Sequence, residues 1–388
     1  MSQKTNKSVT PQQPQKTRSQ LKSERRNRNY VIFCIVMVVV LGLSAFAPLI
    51  PNNQNTQTAV PPTPTEPPVI PTPISDLSSL SFDNRVLSES GLFSVAVPTG
   101  WEVGSNVGTT NEAQMTQRNA NANSVIETRV ILPPVPITDI AGVEAYFNDS
   151  WLQSSWRDYT TWNKSGDEVV GDNYIADFSL ERTGTEFIGR QEAWTDGTWL
   201  YMVRVVTPTN ASDMLIYILN GVKQSLTPNT QFVGSPFDWK SYFDTTYKYL
   251  IRFPQTWAVT DSASGKPTSL AGDGATIRVE TIAAIVADAD AAQAWVETTY
   301  GATVTSVEPV ERFGNTGFAV AYQVPNVDGG TSSGYAVLLA NGDQVSVADL
   351  RLPAANVDLN IIAADSQYSS WKAILDTFGI FPDITGIV

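Results

Sequence analysis

The 388-residue chain contains no histidine and one cysteine, Cys34. Without histidine, Ser-His-Asp and Cys-His nucleophilic systems are excluded, as is any His-ligated zinc site. Beyond residue 50 there is no thiol, so disulfides, thiolate metal sites and thiol catalysis are excluded there as well. The phosphate-binding Gly-Lys-Ser/Thr loop, the Gly-x-Ser-x-Gly elbow and the dinucleotide fingerprint are all missing. Ser19-Gln-Leu-Lys22 matches Ser-x-x-Lys only within a polar tail. An EF-hand loop needs five or six oxygen ligands ending in glutamate, which neither Asp288-Ala-Asp290 nor Asn326-Val-Asp328 supplies. These segments read as a helix cap and a hairpin loop. Acids are plentiful, so a carboxylate-pair glycosidase stays open, although no distinctive acidic constellation marks one. The sequence thus predicts no catalytic residue, no metal and no cofactor.

What is present begins with an asymmetry of charge. Residues 1–29 hold eight Lys or Arg against one acid, Glu24, which leaves +7 there and −20 in the remainder of a chain whose net charge is −13. Residues 30–50 carry no charge. At about 1.5 Å per residue they span roughly 30 Å, the hydrocarbon thickness of a bilayer. Basic flanks stay in the cytoplasm, so a single-pass transmembrane helix is expected, with the N-terminus inside and everything after residue 50 extracytoplasmic. Ala45-Phe-Ala47 has the shape of a signal-peptide cleavage site, but the long basic region and Pro48 just after the cut favour an uncleaved anchor. Residues 51–81 form a Pro/Thr-rich linker, extended over 51–75 because each proline fixes φ and lacks an N–H. The acidic outer part repels nucleic acid. The expected partners are therefore the membrane, through residues 30–50, and an envelope glycan or protein.

One building plan occurs twice. Phe93-Ser-Val-Ala-Val-Pro98-Thr-Gly-Trp101 returns 156 positions later as Tyr249-Leu-Ile-Arg-Phe-Pro254-Gln-Thr-Trp257. A period that long is a domain-sized unit, so two tandem copies are expected, at residues 82–228 and 232–383. Phe93, Val95 and Val97 alternate as in a strand with one buried face, and each Trp is expected to anchor its hairpin in a core. Strands follow at Ser124–Leu132 and Thr276–Ile282. The spacing of Ile140, Val143, Phe147 and Trp151 predicts one helix, capped by Thr138 or Asp139; Asp290 opens its counterpart. Asp196-Gly197 and Asn341-Gly342 each sit between two strand-like runs, as tight hairpin turns require. Apolar stripes through Leu215, Ile218, Leu219, Val222 and through Trp371, Ile374, Leu375, Phe378 predict a closing helix in each copy. The fold class is therefore α+β, an antiparallel sheet packed with helices in each copy.

This order of elements, with an opening strand that ends in Pro-x-x-Trp, resembles the PsbP-like superfamily. The resemblance implies an α/β/α sandwich for each copy and covers residues 82–228 and 232–383. It carries over no functional residue, because the shared motif is structural and the family's members do unrelated things.

The candidate ligand site lies in Trp151-Leu-Gln-Ser-Ser-Trp156-Arg-Asp-Tyr159-Thr-Thr-Trp162. Trp156, Tyr159 and Trp162 follow the predicted helix among polar residues, where flat rings with a polar edge suit stacking on sugars or anchoring a protein. The reading is a membrane-anchored extracytoplasmic binding or scaffold protein without catalytic activity. The alternatives are an accessory subunit of a membrane complex and a carboxylate-dependent envelope glycan hydrolase.

Overall fold

The computed structural model describes residues 77–352, 354–363 and 366–387. The expected anchor at 30–50, the basic tail and the linker up to residue 76 lie outside the described residues. Among the described residues no helix is long and apolar enough to cross a membrane.

The described chain opens with a hairpin of β1 (Asn84–Leu87) and β2 (Phe93–Val97). A meander follows, made of β3 (Glu102–Thr109), β4 (Glu112–Asn119) and β5 (Ser124–Ile131). After two short helices come β6 (Thr161–Val170), β7 (Asn173–Arg182), β8 (Thr185–Thr195) and β9 (Leu200–Pro208). The helix Ser212–Ser225 and the two-residue β10 (Thr227–Pro228) complete this part. The rest runs through β11 (Lys240–Phe243), β12 (Tyr249–Phe253), β13 (Ala258–Thr260), β14 (Thr268–Gly272) and β15 (Ala275–Ile282). The helix Ala289–Tyr300 leads to β16 (Thr303–Arg312), β17 (Asn315–Pro325), β18 (Thr331–Asn341) and β19 (Gln344–Leu352). The helix Ser369–Leu375, β20 (Gly379–Ile380) and β21 (Gly386–Ile387) end it.

Two seven-stranded sheets dominate. Their orders are β3-β4-β5-β9-β8-β7-β6 and β13-β14-β15-β19-β18-β17-β16, which match position for position. Helices lie on both faces of each. The helix Ser212–Ser225 buries Met214, Leu215, Ile218, Leu219 and Val222 in a core shared with Tyr201, Val203 and Val205 of β9. The alternate β9 residues, Leu200, Met202 and Val206, face the opposite core with Val143 and Leu152 of the two short helices. Period-two alternation along β9 thus feeds two cores, and each fully buried side chain contributes about 1.5–3 kcal/mol. In the second sheet Ala292 and Val296 pack on one face, while Ile374 and Leu375 pack on the other.

Trp101 and Trp257 are both buried, and the Trp257 indole N–H donates to Asp273 Oδ2 at 3.0 Å. Gly197 and Gly342 take φ of +88° and +65° in the two hairpin turns, a region that glycine enters without a Cβ penalty. The single helix expected through Phe147 is two helices, Ile140–Tyr146 and Asp149–Ser155. Phe147 leaves helical geometry at φ −85°, ψ 47°, and the Asn148 side chain accepts from the Trp151 N–H at 3.1 Å, which starts a new helix. Asp139 caps the first of the pair. In the second part Asp288, not Asp290, is the cap and accepts from the Ala291 N–H at 2.8 Å.

The two sheet systems are joined covalently and by packing. Strand β21 pairs in parallel with β1, and the Thr385 N–H donates to Arg85 O at 2.9 Å. Ile384 enters the core of the first sheet system together with Phe232, Phe237 and Phe243. Residues just beyond 383 therefore pack with the opening hairpin, 300 positions away. Arg252 is wholly buried at this joint. Its Nε donates to Ser90 O (2.6 Å), Nη1 to Ser235 Oγ (2.7 Å) and Nη2 to Pro236 O (2.6 Å). Burial pulls its pKa down to about 9 against the opposing pull of Asp238, so it is charged at neutral pH.

Candidate functional site: an arginine-lined cleft

On β4 the side chains of Ala113, Met115 and Gln117 are buried, while Gln114, Thr116 and Arg118 between them face the other way. Pairing carries this second face across the sheet. Thr116 lies opposite Glu127, and Glu127 opposite Arg204. The two short helices cover the face over β7 and β8, leaving it open above β4 and β5. The result is a cleft of about 470 Å³ between β4, β5, β9 and the end of the helix Asp149–Ser155.

Five arginines and two acids line the cleft. Only 17 of the chain's 25 basic residues lie beyond residue 29, so almost a third of that basic charge is concentrated here, in the acidic part of the protein. Glu127 sits at the centre. Its Oε1 accepts from Arg129 Nε at 2.7 Å and Gln114 Nε2 at 2.8 Å, and its Oε2 accepts from Arg204 Nη2. Arg204 also donates to Ser155 Oγ at 2.7 Å, and Arg129 to Glu112 Oε1 at 2.7 Å. Burial opposes ionisation of Glu127, but the guanidinium groups of Arg204 and Arg129 outweigh it and hold the carboxyl below its usual range. At Glu112 the balance reverses: burial prevails over Arg129 and raises its pKa.

Trp156 and Tyr159, two of the three aromatic residues expected to form the site, meet in this cleft. They do not form an open shelf. Trp156 is 1% exposed and packs on the inner wall, with the Arg204 guanidinium 3.8 Å from its ring centroid. It ends the helix Asp149–Ser155, and Gly189 beneath it has no side chain to occupy the space near the indole. Tyr159 is half-buried, edge-on to Trp156 at 5.5 Å, with the Arg182 guanidinium 5.6 Å from its ring. Burial raises its pKa above the usual phenol value. Ring faces that could have stacked on a sugar hold cations instead. Trp162 does not join them. It is half-buried on the edge strand β6 opposite Leu180 and packs against the core under the short helices.

The arginines escaped sequence reasoning. Their signal was present as Gln114-x-Thr116-x-Arg118 and Glu127-x-Arg129, polar side chains spaced two apart on one strand face. What could not be read was which strands stand side by side. The side chains of Arg118 and Arg182 make no hydrogen bond or ion pair among the described residues, although the Arg182 guanidinium lies over the Tyr159 and Phe187 rings, and exposed Arg157 has only a 3.9 Å contact to exposed Asp158.

The second sheet carries a cleft of about 490 Å³ in the corresponding place. Here Arg278 of β15 lies opposite Asp349 of β19, as Glu127 of β5 lies opposite Arg204 of β9. Two positions further along, Glu280 stands where β5 has Arg129. All three charges are exchanged in sign. Asp349 accepts from Tyr322 Oη and from Arg351 Nε (2.9 Å), and Arg351 lies 4.4 Å from the Tyr300 ring centroid. Burial raises the Asp349 pKa despite Arg351. Among the described residues no group of three or more His, Cys, Asp or Glu could hold a metal.

No protein-family model matches the chain, and no curated protein matches it. Among solved structures, the chain is similar to cyanobacterial PsbP (CyanoP) from Synechocystis sp. PCC 6803, at 14% identity and a TM-score of 0.30, over 37% of this chain and 92% of that one. It is similar to a protein from Bacteroides thetaiotaomicron VPI-5482 at 13% identity and a TM-score of 0.28, over 38% of this chain and 49% of the other. The immunity protein TplEi of the T6SS of Pseudomonas aeruginosa matches over 77% of this chain and 97% of its own length, at 9% identity and a TM-score of 0.23.

Proposed function

We propose that the protein is a membrane-anchored, extracytoplasmic binding or scaffold protein without catalytic activity, built from two tandem PsbP-like domains. The cleft of the first domain is its ligand site, with Trp156 and Tyr159 among the lining residues. The matching strand orders of the two sheets support the tandem reading, and the uncharged run at 30–50 supports the anchor. One observation carries the choice of binding over catalysis. Glu127, the buried acid of the cleft, is held by four donor atoms, two on Arg129 and one each on Arg204 and Gln114. A general base works best with a pKa near neutrality, whereas the paired guanidinium groups hold this carboxyl below its usual range and make it a poor proton acceptor. The other lining acid, Asp158, is 82% exposed on its side chain and stands beside Arg157.

The test pairs a turnover screen with a binding screen on the full chain, using glycans and envelope fragments. Saturable binding without turnover is expected, and Glu127→Gln should create no change in a rate that is already zero. Hydrolysis of a glycan by the unmodified chain would replace this reading with the hydrolase alternative. Recovery of a stoichiometric protein partner by cross-linking in native membranes would favour the accessory-subunit alternative.

A further inference from the structure

Four of the five arginines of the first cleft divide into two sets, the fifth, Arg157, standing exposed beside Asp158. Arg129 and Arg204 are spent on Glu127, Glu112 and Ser155, and they form the floor. Arg118 and Arg182 have no ion-pair partner among the described residues, although both border the cleft. A cation without an ion-pair partner at the rim of a concave site is free to take an anion from outside the chain, since guanidinium forks bind carboxylates in bidentate fashion. The saturated floor matters equally. It fixes the neighbouring side chains without cancelling the rim charges.

The spacing of the rim cations constrains the ligand. Arg118 is on β4 and Arg182 ends β7, four strand steps away in the sheet order, or about 19 Å across at the usual strand separation. A single small anion cannot serve both positions, whereas an elongated ligand with acidic groups at intervals can. Length is limited from the other side. Residues beyond 29 carry −20, so a long or densely charged polyanion is repelled outside the cleft. A sparsely charged chain of a few units satisfies both constraints. The remaining polar lining, including Thr116 and Ser154, offers hydroxyl partners for neutral polar groups between the acids.

We infer that the first cleft binds a short acidic oligosaccharide whose carboxylates are taken by Arg118 and Arg182. This rests on the reading of the cleft as a ligand site and names the class of ligand. The second cleft supplies a comparison within the same molecule. It has Ala271 where the first sheet has Arg118: Ser269 lies opposite Arg278 as Thr116 lies opposite Glu127, and Ala271 follows Ser269 by two residues as Arg118 follows Thr116. Its arginines, Arg278 and Arg351, face Glu280 and Asp349 at 3.0 and 2.9 Å. No rim cation is left over there, so that cleft is not expected to take the acidic ligand.

The experiment is calorimetric titration of the full chain with trigalacturonate, its methyl ester and tripolyphosphate, at low and high salt. Trigalacturonate should bind and the methyl ester should not, with affinity falling as salt rises. Arg118→Gln and Arg182→Gln should each weaken binding about tenfold, and the double variant should abolish it. Arg351→Gln in the second cleft should leave affinity unchanged, and unchanged thermal midpoints for the exposed Arg118 variant exclude misfolding as the cause. Equal binding of the methyl ester would overturn the inference while leaving the ligand site standing. Tighter binding of tripolyphosphate would overturn the assignment to an acidic sugar. Failure of all three probes overturns the inference, and failure of envelope fragments as well removes the ligand site with it.

Discussion

Replacing Glu127 with glutamine should cost about 3 kcal/mol at neutral pH, near the low end of the 3–5 kcal/mol typical of breaking a buried ion pair by removing one partner. Arg204 is 4% exposed, and Glu127 is its carboxylate partner. Glutamine keeps one acceptor for Arg129 but can turn its amide toward the Arg204 guanidinium, leaving a charged group buried without compensation. The stacking of Arg204 on Trp156 and its bond to Ser155 survive, which is why the lower end applies. Against a total stability of about 5–15 kcal/mol, that loss is large. Urea unfolding followed by tryptophan fluorescence measures it, with Trp156 as a reporter in the cleft. The pH dependence adds a second check. Glu127 has a folded pKa below its unfolded value, so its contribution is full above about 4.5 and is lost as pH falls through the folded pKa. The gap between wild type and variant should therefore close under acid. A cost below about 1 kcal/mol at pH 7, or a gap unchanged by acid, would refute the account of the ion pair.

The inverted pair should behave differently. Asp349 has a folded pKa raised by burial, so its neutral form is favoured below about 3.8 and that advantage fades as pH rises through the folded pKa. Asp349→Asn is expected to cost less than about 1 kcal/mol at pH 7, by the same urea assay, and to remove this pH dependence. A Cβ at Gly334 would lie 2.1 Å from Cζ of buried Tyr322, so Gly334→Ala should destabilise by about 1–3 kcal/mol. At Gly189 the nearest atoms are 3.4–3.5 Å away, and alanine should be tolerated; thermal unfolding of the two variants compares them. Arg252→Ala leaves Ser90 O and Pro236 O without their buried donor and should cost about 2–4 kcal/mol, read from the urea midpoint. Ending the chain after Asp383 removes Ile384 from the first core and β21 from β1, so hydrogen exchange at Val86 and Leu87 should quicken.

Much of the fold was legible because it depends on local pattern. Phe93 to Val97 is legible as a strand, Asp196-Gly197 and Asn341-Gly342 allow positive φ, and Leu215 to Val222 recurs with helical period; each is read within a dozen residues, although the strand expected to bury one face buries all five residues, Ser94 and Ala96 included. The reading failed where competing local bonds decided the outcome. Asn148 could cap a new helix only by accepting from Trp151, and that bond ended the helix expected to run through Phe147. The sequence places Trp162 in an aromatic platform beyond the helix, whereas it belongs to a strand whose partner, Leu180, lies 18 residues ahead.

The sequence by itself determined the chemistry that is absent, since no folding can supply a missing imidazole, or a thiol beyond residue 50, and it determined the duplicated motif, the charge asymmetry and the uncharged run. Only the tertiary structure decided the cleft. Glu127 and Arg204 are 77 residues apart and meet because β9 inserts beside β5 instead of following β8 outward to an edge. That order is set by burial of both faces of β9 between two helix layers, a constraint belonging to the whole sheet and invisible in any single strand.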